Sequence, residues 1–170
     1  MPDFLVKRDD FRDCRVVESD VPAVGPGQAL LRVDSFGMTS NNVTYAVFGE
    51  AVSYWDFFPS SEERWGRLPT WGFAEVQSSE ADGVEPGVRL YGYLPASSHL
   101  LVTPSGADDA GFVDASPHKA ALPSAYHRYL AGPRDPFYRP ETEAVQMLLR
   151  PLFFTSFLID RKSTRLNSSH

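Results

Sequence analysis

The first hundred residues are cut into short segments by turn-forming pairs, and this punctuation limits what the chain can build. Gly25-Pro26-Gly27, Asp82-Gly83 and Pro86-Gly87 each place residues that fix or free φ at a chain reversal. Around them lie apolar runs too short for ordinary helices. Residues 14–18 read as the first strand, and residues 29–36 as a longer one. Residues 72–76, 88–93 and 100–102 read as three more. Many short strands at this spacing predict a barrel or sandwich. The 14 prolines and 12 glycines among 170 residues point the same way, to a mainly β, α+β chain with short helices.

Residues 47–68 differ from their surroundings. Phe48, Tyr54, Trp55, Phe57, Phe58 and Trp65 stand there among few aliphatics, which predicts an ordered loop packed by its own rings. Those rings either cover one end of the barrel or wall a pocket for a flat or apolar ligand. Beyond Pro104 the character shifts again. Residues 105–109 read as a polar loop, Pro123 opens a short helix, and residues 132–140 form a proline-rich connector. Pro140-Glu141-Thr142-Glu143 opens a second helix, expected to end near Arg150 because Pro151 interrupts it. Residues 152–159 are apolar enough to need a packing partner.

Charge and cysteine content narrow the function classes. The net charge of −6 offers no attraction to nucleic acid or to an anionic membrane. Cys14 is the only cysteine, which excludes an internal disulfide and a cysteine-built metal site and fits a reducing, cytoplasmic setting. Residues 1–12 mix both signs of charge without the apolar run of a signal peptide. The longest apolar stretch, residues 151–159, falls short of the roughly 20 residues that span a bilayer.

Two stretches carry a family resemblance. Residues 26–38, a Pro-Gly turn leading through Ala29-Leu30-Leu31-Arg32-Val33 to Gly37-Met38, resemble the early strand of medium-chain dehydrogenases/reductases. Trp71-Gly72-Phe73-Ala74-Glu75-Val76 and the later Gly87-Val88-Arg89-Leu90-Tyr91-Gly92 resemble that superfamily's glycine-bearing strand and the strand after it. Val88 stands where the superfamily usually has Asp. The resemblance covers residues 10–104 and implies a GroES-like barrel, the substrate half of such enzymes. Residues 41–49, 71–76 and 148–153 further resemble an uncharacterised bacterial domain-of-unknown-function family of the same architecture.

That resemblance implies a zinc-free branch. Zinc-bearing relatives take a cysteine from the loop after the early strand and a histidine after the next strand's glycine. Here residues 37–42 contain no cysteine, and Phe73 follows Gly72. The resemblance implies a quinone or enoyl reductase in which NAD(P)H carries the hydride and the barrel positions a small-molecule substrate. It makes Asn41, Asn42 and Tyr45 the site candidates, since an amide and a phenol can donate to a carbonyl oxygen as charge builds there. Relatives commonly carry an acid where Val43 stands, and both asparagines suit turn caps equally well. His99, His118 and His127 are scattered and read as structural, and Glu141 and Glu143 as helix-terminal charges. Arg134, Arg139 and Arg150 are too spread out for a phosphate clamp.

No G-x-G-x-x-G run occurs, so no seat for a dinucleotide pyrophosphate is legible and the chain alone is expected to bind no cofactor. The expected organisation is a barrel over residues 1–104, a connector over 105–159 leading to a nucleotide-binding domain of the same chain, and a foreign tail over 160–170. That tail, Asp-Arg-Lys-Ser-Thr-Arg-Leu-Asn-Ser-Ser-His, reads as a translated sequencing adapter. Without residues 161–170, 13 basic residues stand against 22 acidic ones, a net charge of −9. The rival expectation is a non-catalytic binding protein that keeps the barrel.

Overall fold

The structure is a computed structural model that describes residues 1–153 and Ser156. Two antiparallel sheets form it. In the smaller, β1 (Pro2–Lys7) lies between β2 (Asp10–Glu18) and β4 (Trp65–Arg67). In the larger, β7 (His99–Val102), β3 (Ala29–Gly37), β5 (Pro69–Ser79), β6 (Arg89–Pro95), β10 (Arg128–Ala131), β9 (Gly111–Asp114) and β8 (Pro104–Asp108) follow one another in that spatial order.

The order of the larger sheet forces its shape. Its two outermost strands, β7 and β8, are separated in the chain by Thr103 alone. Seven flat strands would hold those edges about 29 Å apart, at roughly 4.8 Å per neighbour. One residue spans about 3.8 Å. The sheet must therefore curl until its edges nearly meet, and a half-barrel results.

Asp114 sews this seam. Its buried carboxylate accepts the Thr103 N–H at 3.0 Å and the Ser116 N–H and hydroxyl at 3.0 and 2.6 Å. Its other oxygen lies 2.8 Å from the Lys119 ammonium, and both side chains are essentially sealed from solvent. Burial pushes the carboxyl of Asp114 up, but Lys119 and the hydrogen bonds outweigh it and hold it below the usual range. Burial pushes the Lys119 ammonium down, and Asp114 only partly restores it.

Inside the curl pack Leu31, Val76, Leu90, Tyr93, Phe112 and Tyr129, capped by Phe57 and Phe58. Trp55 fills a second core with Val6, Ala46 and Leu68. It fits because Gly49 and Gly66 flank it: a Cβ at either position would stand 2.1 or 2.3 Å from the indole. Trp55, Phe57 and Phe58 thus pack onto the core around a short 3-10 turn over Tyr54–Phe57, the covering role expected of these rings.

Several local expectations are corrected. A strand, β1, precedes the one expected first; its Asp3 is buried and paired with Arg67 on β4 at 2.7 Å, a partner invisible in the local sequence. The loop expected after β3 is helix α1 (Ser40–Val47). Residues 105–109, expected as polar loop, are largely β8. Of the helix expected after Pro123, only the turn Ser124–Tyr126 forms; Leu130 instead pairs with Tyr91 of β6 and Gly111 of β9. The ladder satisfies more backbone groups there than one isolated turn can. A second helix, α2, begins at 143 and continues through Pro151 to 153, so the proline does not end it.

Glu143 and Arg150, two turns apart on α2, hold it to the barrel. Glu143 takes Arg89 of β6 in a forked pair at 2.9 and 2.6 Å and the Tyr138 hydroxyl at 2.8 Å, rather than serving only as a terminal charge. Arg150 pairs with Asp135. Val145, Leu149, Leu152 and Phe153 remain exposed. The apolar run expected over 152–159 is described only at Leu152, Phe153 and Ser156, and the tail expected at 160–170 lies outside the described residues. Among the described residues, no helix is long and apolar enough to cross a membrane.

Candidate functional site

The ends of β3 and β5 bring α1 against the sheet, because Gly37 stands opposite Trp71 in the ladder. Thr39 caps the helix: its hydroxyl accepts the Asn41 N–H, and the Asn42 Oδ1 accepts the Thr39 N–H at 2.7 Å. This reciprocal cap lets a segment of modest helix propensity fold as a helix. Asn42 is buried, and its Nδ2 donates to the Pro69 carbonyl at 2.8 Å. Both ends of its amide are therefore committed to structure.

Asn41 and Tyr45, one turn apart on α1, reach a cavity of about 570 Å3. The opposite wall is built by strand alternation. Trp71 and Phe73 share one face of β5, Tyr91 and Tyr93 share the same face of β6, and the pairs Trp71–Tyr93 and Phe73–Tyr91 lie directly opposite. The Trp71 and Tyr91 rings stack diagonally, 5.7 Å apart and within 18° of parallel. Tyr126, from the turn before β10, closes another side, with its ring 4.7 Å from that of Tyr93. Ala125, together with Arg128 and Leu130 of β10 and Pro151 and Leu152 of α2, completes the lining among the described residues.

The cavity thus unites two of the three candidates from the sequence with a wall that sequence reasoning missed. Asn42 faces a crevice of about 20 Å3 beside it instead. Trp71, Tyr91, Tyr126 and Arg128 are the additions. The period-2 spacing of Trp71 with Phe73, and of Tyr91 with Tyr93, was the available signal for one aromatic face. Nothing local pointed to Tyr126 or Arg128.

Every phenol here stays protonated near neutral pH. Burial raises Tyr45 and Tyr91 above the ordinary tyrosine value and pushes Tyr126 up to about 12. They can offer O–H donors but no phenolate. The Tyr91 hydroxyl is buried without a hydrogen-bond partner among the described residues, which leaves one donor on the wall unspent.

The three histidines among the described residues lie elsewhere. His99 is held between Ser98 and Gln77, His118 contacts the Phe57 carbonyl at 3.3 Å, and His127 is buried behind the seam. Among the described residues, no three His, Cys, Asp or Glu side chains converge as a metal site requires.

A family model matches residues 36–168, more than three quarters of the chain: that of the protein of unknown function DUF2855. The chain belongs to this family. The matched span contains α1, the aromatic wall, β10 and α2, so the cavity is built almost wholly from family-matched residues. No curated protein matches the chain. Among solved structures, the crystal structure of CurA from Vibrio vulnificus is similar at 17% identity with a TM-score of 0.41, over 59% of this chain and 28% of that one. The chain thus spans little more than a quarter of that protein's length.

Proposed function

We propose that this chain is the substrate-holding part of a zinc-free, NAD(P)H-dependent reductase-like protein, and that its cavity takes a flat small molecule bearing a carbonyl. The observation that carries this reading is the cavity itself. A stacked Trp71–Tyr91 face suits a planar ligand, and the Asn41 amide with the Tyr45 hydroxyl can donate to a carbonyl oxygen. A volume of about 570 Å3 matches a two- or three-ring molecule.

No step through the nicotinamide is assigned to these residues. The strand-to-helix step from β3 into α1 has its first amides taken by the Thr39 and Asn42 side chains, so it is no phosphate cradle. Hydride supply belongs to a nucleotide-binding domain elsewhere in the parent protein. Purified 1–170 is accordingly expected to bind 1,4-naphthoquinone, read by calorimetry, without oxidising NADPH above background. NADPH oxidation by this chain alone would overturn the division of labour, and no naphthoquinone binding would overturn the cavity reading.

A second reading is favoured by Asn42, whose amide is spent on the cap and on Pro69. With one of the three expected donors withdrawn, the same cavity serves a non-catalytic binding protein. Resequencing the locus separates the two: a Gly-rich strand–turn–helix downstream supports the reductase, and its absence supports the binder.

A further inference from the structure

Arg128 stands apart from the other arginines. Among the described residues, each of the rest has an acid, an aromatic ring or a backbone carbonyl against its guanidinium. Arg8, Arg15, Arg32, Arg64, Arg67, Arg89, Arg134 and Arg150 are in ion pairs. Arg12 lies over Phe11, and Arg139 donates to two carbonyls. Arg128 has none of these, in a chain whose acidic residues outnumber its basic ones by six. It lines the aromatic cavity, and among the described residues no carboxylate lines that cavity with it.

We infer that the cavity's ligand is an aromatic carboxylate, held by its ring against Trp71 and Tyr91 and by its acid group on Arg128. This rests on the reading that the cavity is a ligand site, and adds the charge of what enters it. The geometry suits such a molecule. Leu130 is the ladder partner of Tyr91, and Arg128 lies two residues along the same strand, about 7 Å away. Alternation puts Arg128 and Leu130 on one face, while Tyr129 between them points into the core. An acid group one ring-length from the stacked face therefore meets the guanidinium. The planar fork of arginine receives a carboxylate through two parallel hydrogen bonds, whereas an ammonium ligand is repelled and a neutral one gains nothing.

The test pairs two probes of one shape, 2-naphthoate and 2-naphthamide, titrated calorimetrically into the 1–170 chain, its R128Q variant and its W71A variant. Wild type is expected to bind naphthoate about tenfold or more tighter than naphthamide, the range of a charge-assisted bond. R128Q should erase that preference, so that the variant binds the two probes alike. W71A should weaken both probes. Raising NaCl from 0.05 to 0.5 M should weaken naphthoate alone. Equal binding of the two probes by wild type overturns the charge assignment and leaves the cavity reading standing. Failure of wild type to bind either probe overturns both. An R128Q variant that keeps the preference also sinks the assignment to Arg128.

Discussion

The seam at Asp114 and the cavity at Trp71 are both places where polar groups meet aromatic rings, and they are finished differently. At the seam Lys119 lies against the rings of Phe58 and Tyr129, yet its charge is matched by Asp114, and Asp114 is saturated by Thr103 and Ser116. At the cavity the exposed Arg128 guanidinium has no acid paired with it among the described residues. A closed network holds the curl of the sheet. An open one leaves bonding capacity for something beyond the described residues. The difference teaches that the two clusters of rings have separate tasks, although both line the same half-barrel.

The comparison is broken most easily at the seam. Asp114→Ala strands a buried ammonium and frees the Thr103 and Ser116 donors, so the expected loss is about 3–5 kcal/mol of unfolding free energy by urea titration. A loss below about 1 kcal/mol would mean that the pair does not hold the sheet edges together. Next in size is Tyr129→Phe. The Tyr129 hydroxyl donates to the Tyr93 carbonyl at 2.7 Å in a fully buried site, and removing it should cost about 1–3 kcal/mol by the same measurement.

Acid should find the seam as well. The carboxyl of Asp114 titrates lower folded than unfolded, so its contribution is present above the unfolded value and fades as pH falls through the folded one. Wild type is expected to lose stability below about pH 4, and Asp114→Asn should flatten that acid limb, seen in thermal melts from pH 6 to pH 2.5. An unchanged slope in the variant would assign the acid sensitivity to another carboxylate, such as Glu143, which Arg89 holds low.

The cavity should respond least in stability. Tyr126→Leu and Arg128→Gln are expected to change the unfolding free energy by no more than about 0.5 kcal/mol in urea titrations, since both residues are partly or well exposed. If either proves as costly as a seam variant, the cavity is part of the scaffold, and the contrast between the regions falls.

Much of the fold was readable before any coordinate. Gly83 and Gly87 take φ of +73° and +87° at the two turns expected from their dipeptides. The strands expected at residues 29–36, 72–76 and 100–102 all form, with longer bounds. What was misread shares one cause. Asp3 made β1 look like a charged terminus until Arg67, sixty-four residues on, neutralised it. Tyr129 and Leu130 looked helical beside Pro123 until β6 and β9 offered them a ladder. Pro151 looked like a stop, although the helix runs through it. The candidate site divides in the same way. Asn41 and Tyr45 share a helix face and so reach one cavity, while Asn42, next in sequence to Asn41, points to the cap.

The sequence by itself determined the β character of this chain, the positions of its tight turns and the alternating aromatic faces of β5 and β6, because these depend on φ preferences and on a two-residue period. Tertiary structure alone decided that the sheet curls, that Lys119 is a seam cation while Arg128 has no acid beside it among the described residues, and that Trp71, Tyr91 and Tyr126 face a common space. Those outcomes depend on which groups the curl of the sheet brings together, and a charge has no fixed cost or use until the fold sets its surroundings.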